Sequence, residues 1–151
     1  MIQTKQKEKP EKEWEYAGLK CFVMRVVFES GTFHRCGYVT IPKNHVCYDL
    51  SYDDIPVDVH GGLTYGSEDT FGFDTGHCGD RSSNETEREG HFWTLEDMIS
   101  ETNNMAKQFS KITLLEIINY KLRYMPDWFK DNIEIKIKGL HSFSSVKEIE
   151  K

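Results

Sequence analysis

LKCFVMRVVFESGTFHRCGYVTI, residues 19–41, decides the fold class. Two runs rich in β-branched and aromatic side chains, 19–28 and 32–41, flank Glu29-Ser30-Gly31, where a glycine and a short hydroxyl suit a tight reversal. This pattern predicts a β-hairpin. Residues 42–56 are aromatic and acidic, without a sustained period, and begin and end on proline, so they read as an irregular connection. Residues 57–65 alternate well enough for a strand, although Gly61-Gly62 interrupts it as at a bulge. A second short strand is expected over 70–74, pairing with 57–65, before Gly76 and Gly79 turn the chain into a polar loop over 80–90.

The helical signal comes later. Thr94-Leu95-Glu96-Asp97 has capping-box spacing, and Leu95, Met98, Ile99, Thr102, Met105, Ala106, Phe109 and Ile112 then recur at intervals of three and four, as one buried helical face requires. Thr113-Leu114-Leu115-Glu116 repeats the cap, predicting a second helix to about Tyr124, ahead of Pro126. Ile133, Ile135 and Ile137 alternate with charged residues and predict a last strand ended by Gly139. Strands first and helices afterwards, with hairpin-length connections, give an α+β fold: a small antiparallel sheet packed against two or three helices. The chain divides into an N-terminal arm over 1–13, flexible unless Trp14 and Tyr16 dock it as an edge, a core domain over 14–112 and a C-terminal helical and strand extension over 113–151 packed on that core.

The 151 residues suffice for one domain with a real core. The net charge of −6 is unevenly spread: eleven Asp and Glu lie between His45 and His91 against Arg81 and Arg88 alone. Such a segment repels a phosphate backbone, so direct nucleic-acid binding is not expected, whereas a metal, a cationic ligand or the basic channel of another protein is compatible. Cys21, Cys36, Cys47 and Cys78 contain no C-x-x-C and form no zinc framework by spacing. No apolar run reaches membrane-spanning length and no secretory leader is evident, so a cytoplasmic location with free thiols is expected.

The chemistry gathers in two glycine-rich blocks, His60-Gly61-Gly62-Leu63-Thr64-Tyr65 and Gly72-Phe73-Asp74-Thr75-Gly76-His77-Cys78-Gly79-Asp80. Asp74, His77 and Asp80 recur every three residues, and strand pairing would bring His60 beside them. Two imidazoles and two carboxylates can ligate a divalent metal with positions left open for an activated water. They serve equally without metal, a histidine as general base or acid and an aspartate fixing its tautomer. They also suit a polar structural network, with Asp74 or Asp80 accepting backbone N–H bonds at turns. His60, Gly61, Gly62, Thr64, Tyr65, Asp74, His77 and Asp80 are the expected ligand-binding set, with Tyr65 as a stacking wall beside Tyr48 and Tyr52 as further planar surfaces. Cys78 follows His77 directly, and adjacent side chains seldom face each other, which disfavours a cysteine nucleophile. His34, His45, His91 and His141 stand apart, His45 and His91 being the two with some prospect of joining the site.

Cys36-Gly37-Tyr38-Val39-Thr40-Ile41-Pro42, the His60 block with its preceding Val57-Asp58-Val59, and the block from Phe71 to Asp80 together resemble a widespread group of small, uncharacterised bacteriophage and prophage proteins. The likeness covers roughly residues 20 to 112. This chain departs from it in a shortened acidic linker between the two blocks and in the extension beyond Thr113. The resemblance implies an accessory or counter-defence role in a bacterial host and carries no activity with it. Two expectations follow. One is an acidic inhibitor docking on a host defence protein such as a CRISPR nuclease through Asp49, Asp53, Asp54, Glu68 and Asp69. The other is a small hydrolase or sequestering pocket for a nucleotide-type signal, built on His60, Asp74, His77 and Asp80. A symmetric homodimer is compatible with either.

Overall fold

Gly31 adopts φ +84°, the left-handed conformation its lack of a Cβ permits, and its N–H bonds Phe28 at 2.9 Å while the Phe28 N–H bonds Thr32 at 2.8 Å. The chain therefore reverses where the composition asks it to. In the computed structural model, which describes residues 9–85, 89–129 and 131, this turn joins β2 (Leu19–Val27) to β3 (Phe33–Thr40). Their register runs from Lys20 opposite Thr40 to Val27 opposite Phe33. With β1 (Lys12–Tyr16), β4 (Tyr65–Ser67) and β5 (Thr70–Asp74) they form one antiparallel sheet in the order β1-β2-β3-β5-β4. The architecture is the expected α+β arrangement.

Alternation sorts the sheet's two faces. Leu19, Cys21 and Val23 of β2, Val39 of β3, and Phe71 and Phe73 of β5 are buried on one of them. Helix α1 (Leu95–Lys111) covers that face with Met98, Thr102, Met105, Ala106 and Phe109, the positions its periodicity selects. Phe71 and Phe109 stack with ring centroids 5.2 Å apart. Each such side chain, fully buried, stabilises the fold by roughly 1.5–3 kcal/mol. Gly37 is what lets the helix approach: a Cβ there would overlap Thr102 Oγ1 and the Phe73 ring. The capping box of α1 forms, Thr94 Oγ1 accepting the Asp97 N–H and Asp97 accepting that of Thr94. The Thr113–Glu116 box likewise starts α2 (Leu114–Leu122), whose Ile117 enters the same core. Residues 127–129 and 131 are again helical. The strand expected over 133–137 lies outside the described residues.

Three expectations need correction. Residues 57–63 form no strand, and β5 pairs instead with the short β4. Gly61 and Gly62 adopt φ +67° and +79°, and the Gly62 N–H closes a turn onto the Val59 carbonyl at 2.8 Å. Side chains of α1 then take the place of a partner strand. Gln108 accepts the Asp58 N–H at 2.8 Å and donates to the Asp58 carbonyl at 2.7 Å, while Glu101 accepts the His60 N–H at 3.1 Å. Second, Lys12 and Glu13, placed by composition in the N-terminal arm, belong to β1. The edge is anchored by the Trp14 indole N–H on Asn103 at 2.7 Å and by Glu11, paired with Arg35 and Arg25 at 2.8 and 2.9 Å. Third, the polar loop after Asp80 is clipped at its base, where β6 (Asp80–Arg81) runs parallel to β7 (His91–Phe92).

Candidate functional site

Beyond the end of β5 the chain turns through Asp74 to Asp80, and the Asp58–Gly62 loop, held by α1, lies against that turn. Asp80 is at the centre. Its side chain is 3 % exposed and accepts from three directions: His60 Nε2 at 2.8 Å, the Trp93 indole N–H at 3.0 Å and the His77 backbone N–H at 3.0 Å. Burial pushes the Asp80 carboxyl up, but the His60 and His77 hydrogen bonds, the His60 charge interaction and the Trp93 hydrogen bond outweigh it, so the group sits below the ordinary aspartate value. An ionised carboxylate only accepts, so His60 Nε2 carries the proton it donates, which in the neutral imidazole leaves the lone pair on Nδ1.

The second imidazole lies alongside. The His60 and His77 ring centroids are 5.6 Å apart in an edge-on arrangement. His77 Nδ1 lies 3.3 Å from Asp80 and 3.4 Å from Asp74, yet it is buried and makes no hydrogen bond. The angles do not serve a hydrogen bond, although both carboxylates stand at ion-pair distance. Gly61 is required by this packing as well as by its φ: a Cβ there would stand 2.7 Å from His77 Nδ1. One potential ligand atom from each of His60, His77 and Asp80 lies within 4.8 Å of the other two.

The structure thus brings His60, Gly61, His77 and Asp80 together, with Asp74 at the margin, where Asp74 also accepts the Gly76 N–H at 2.9 Å as a turn cap. Tyr65 and Thr64 go elsewhere. The Tyr65 ring meets Tyr38 edge-on at 5.5 Å on the open sheet face, and Thr64 donates its N–H to Gly72. Trp93 takes the wall position assigned to Tyr65, its ring 4.4 Å from that of His60. Sequence reasoning missed this residue. Its one local signal is an aromatic side chain directly before the Thr94 cap, which marks a docked helix entry. Trp93 is itself held from behind: Arg35, buried under Phe33 and Phe92, donates to the Trp93 carbonyl at 2.9 Å while paired with Glu11.

The other candidates have structural places. His45 accepts the Cys47 N–H on Nδ1 and donates from Nε2 to the Phe109 carbonyl at 2.7 Å, closing the end of α1. His91 pairs with Asp97 at 2.9 Å, its ring meets Trp93, and its backbone stands opposite Asp80 in the β6–β7 ladder. His141 lies outside the described residues. Cys21, Cys36 and Cys47 are buried free thiols, and burial pushes the first two up to about 11 and Cys47 up to about 12; Cys78 is exposed. Two clefts lie away from the histidines: one of about 590 Å³ between α1 and α2 with Lys107, Lys111 and Arg123, and one of about 670 Å³ on the open sheet face with Phe22, Tyr38 and Tyr65.

The acidic residues gather at the opposite end of β5. The Asp49 N–H bonds the Glu68 carbonyl at 2.7 Å, the Tyr48 hydroxyl donates to Glu68 at 2.6 Å, and that bond, with burial and the charges of Glu68, Asp69 and Asp49, raises the Tyr48 hydroxyl to about 12. Asp53 and Asp54 lie in a 3₁₀ turn (Tyr52–Asp54), Asp54 paired with Lys121 at 3.3 Å. No helix among the described residues is long and apolar enough to cross a membrane. No family model matches the chain, and neither curated proteins nor solved structures provide a match.

Proposed function

We propose that the protein is a phage-type accessory factor whose working part is the His60–His77–Asp80 centre, a small hydrolase or sequestering site for a nucleotide-type signal. The observation that carries this reading is His77 Nδ1, a buried ring nitrogen without a hydrogen bond, facing a carboxylate that already holds the second imidazole. Buried polar groups in a folded protein are in the great majority hydrogen-bonded. In the hydrolytic form His60 Nδ1 takes the proton of a water as its oxygen bonds phosphorus, the P–O ester bond breaks, and His77 returns a proton to the leaving oxygen. Asp80 fixes the His60 tautomer and Trp93 walls the site. The test is a panel of linear and cyclic nucleotides assayed for hydrolysis and equilibrium binding. Wild type is expected to turn over or bind a member of the panel, and His60→Gln to lose at least about 100-fold with its melting temperature kept. A wild type inert to the whole panel overturns the reading.

A second reading rests on a different observation, the collection of Asp49, Glu68 and Asp69 around Tyr48 with Asp53 and Asp54 on the neighbouring 3₁₀ turn. In this reading the acidic end docks on a basic surface of a host defence protein such as a CRISPR nuclease, occupying its nucleic-acid channel. Nuclease inhibition lost on reversing these charges, and kept in His60→Gln, favours it over the first.

A further inference from the structure

A phosphoester entering this centre meets the carboxylates of Asp74 and Asp80, which repel its negative charge. We infer that His60 Nε2, His77 Nδ1 and the Asp80 carboxylate form a binding site for a divalent transition metal of the zinc class. The inference takes the Proposed function as its setting for substrate and stands on its own for binding. Two imidazole nitrogens and one carboxylate oxygen are a borderline-soft donor set that favours zinc over magnesium or calcium, which prefer oxygen ligands throughout.

Three features fit a metal better than a closed hydrogen-bond network. His77 Nδ1 is buried, makes no hydrogen bond, and lies 3.3 Å from Asp80. The ligand atoms of a tetrahedral zinc stand about 3.3 Å apart. Here the His60 nitrogen is 2.8 Å and the His77 nitrogen 3.3 Å from Asp80, and all three donors fall within 4.8 Å, so small ring rotations centre them on one ion. The groups that would orient the ligands are also in place. The Trp93 indole N–H binds Asp80, and Gly61 lies flat against the His77 ring, as expected of a shell that fixes ligand direction. The side chains of His60 and His77 remain 29 % and 32 % exposed, which leaves an approach from solvent for a water or substrate as fourth ligand. A bound metal would be held by His60, His77 and Asp80, the His60 Nε2 proton being released to solvent, and would supply an activated water and the positive charge a phosphoester needs.

The experiment is calorimetric titration of chelator-treated protein with zinc, repeated with cobalt(II) to read coordination from the visible spectrum. Wild type and Cys78→Ser are expected to take up one zinc per chain and give a low-coordinate cobalt spectrum. His77→Gln, at a half-buried position that leaves the fold standing, is expected to bind about 100-fold more weakly or worse. Absence of uptake by wild type overturns the proposal, as does uptake by His77→Gln and His60→Gln equal to that of wild type. Its failure and that of the hydrolase reading are distinguishable. One zinc per chain with no nucleotide turned over or bound keeps the metal site and removes the hydrolase, whereas turnover in chelator without zinc uptake does the reverse.

Discussion

Gly61 carries two constraints, φ +67° and the His77 ring at its Cα, whereas Gly62, with φ +79°, has open space where a Cβ would go. Gly62→Ala is therefore expected to cost backbone strain alone, on the order of 1 kcal/mol. Gly61→Ala should cost about 1–3 kcal/mol more and displace His77; urea melts of the two variants make the comparison, and equal losses would contradict the packing. Asp80 gives a pH signature. Its folded pKa lies below the ordinary value, so its stabilising contribution is complete above the unfolded pKa of about 3.9 and is lost as pH falls through the lower folded one. Asp80→Asn should be less stable at neutral pH by about 1–3 kcal/mol, and its stability should fall less steeply than that of wild type below about pH 4. Denaturant titrations from pH 3 to 7 read both, and parallel profiles would count against the ionised, hydrogen-bonded carboxylate. At this scale the sequence revealed the members of the site better than their roles. The three-residue spacing of Asp74, His77 and Asp80 was visible, but Trp93 was hidden because nothing local announces that an indole thirteen residues downstream will reach Asp80.

Among the elements, those specified by neighbours in sequence were legible. The capping boxes at Thr94 and Thr113, the buried stripe of α1 and the turn at Gly31 all involve contacts a few residues apart. Thr94→Ala is expected to cost about 1 kcal/mol through the orphaned Asp97 N–H, and Phe109→Ala about 3–5 kcal/mol through a cavity against Phe71. Thermal melts that rank the two the other way would contradict this division between cap and core. Residues 57–63 were not legible, because what replaces their ladder comes from Glu101, Asn104 and Gln108, between 41 and 50 residues along the chain and on a helix. Alternation at Val57 and Val59 imitates a strand because both side chains do enter the core. Periodicity reports burial, and burial here comes without pairing.

On the scale of the whole molecule, β5 separates two chemistries, an acidic end around Tyr48 and the histidine centre beyond Asp74. Their separation makes them independently testable. Reversing Asp49, Asp53, Glu68 and Asp69 to lysine should leave zinc uptake within about threefold of wild type at 0.15 M salt, since charges beyond a Debye length of about 8 Å are screened. A large change would show the two ends to be coupled. The uneven charge was plain from composition, but its collection at one end depends on the Asp49–Glu68 backbone contact that folding creates. The most direct test of the central claim, that a loop carries His60 onto Asp80 beside His77, is long-range proton–nitrogen NMR of the six imidazoles in wild type and Asp80→Asn. The account predicts His60 as the Nε2–H tautomer with a hydrogen-bonded proton that is lost in Asp80→Asn, with His77 perturbed and His45 unmoved. His60 in the Nδ1–H form, or six imidazoles identical in the two proteins, would contradict it.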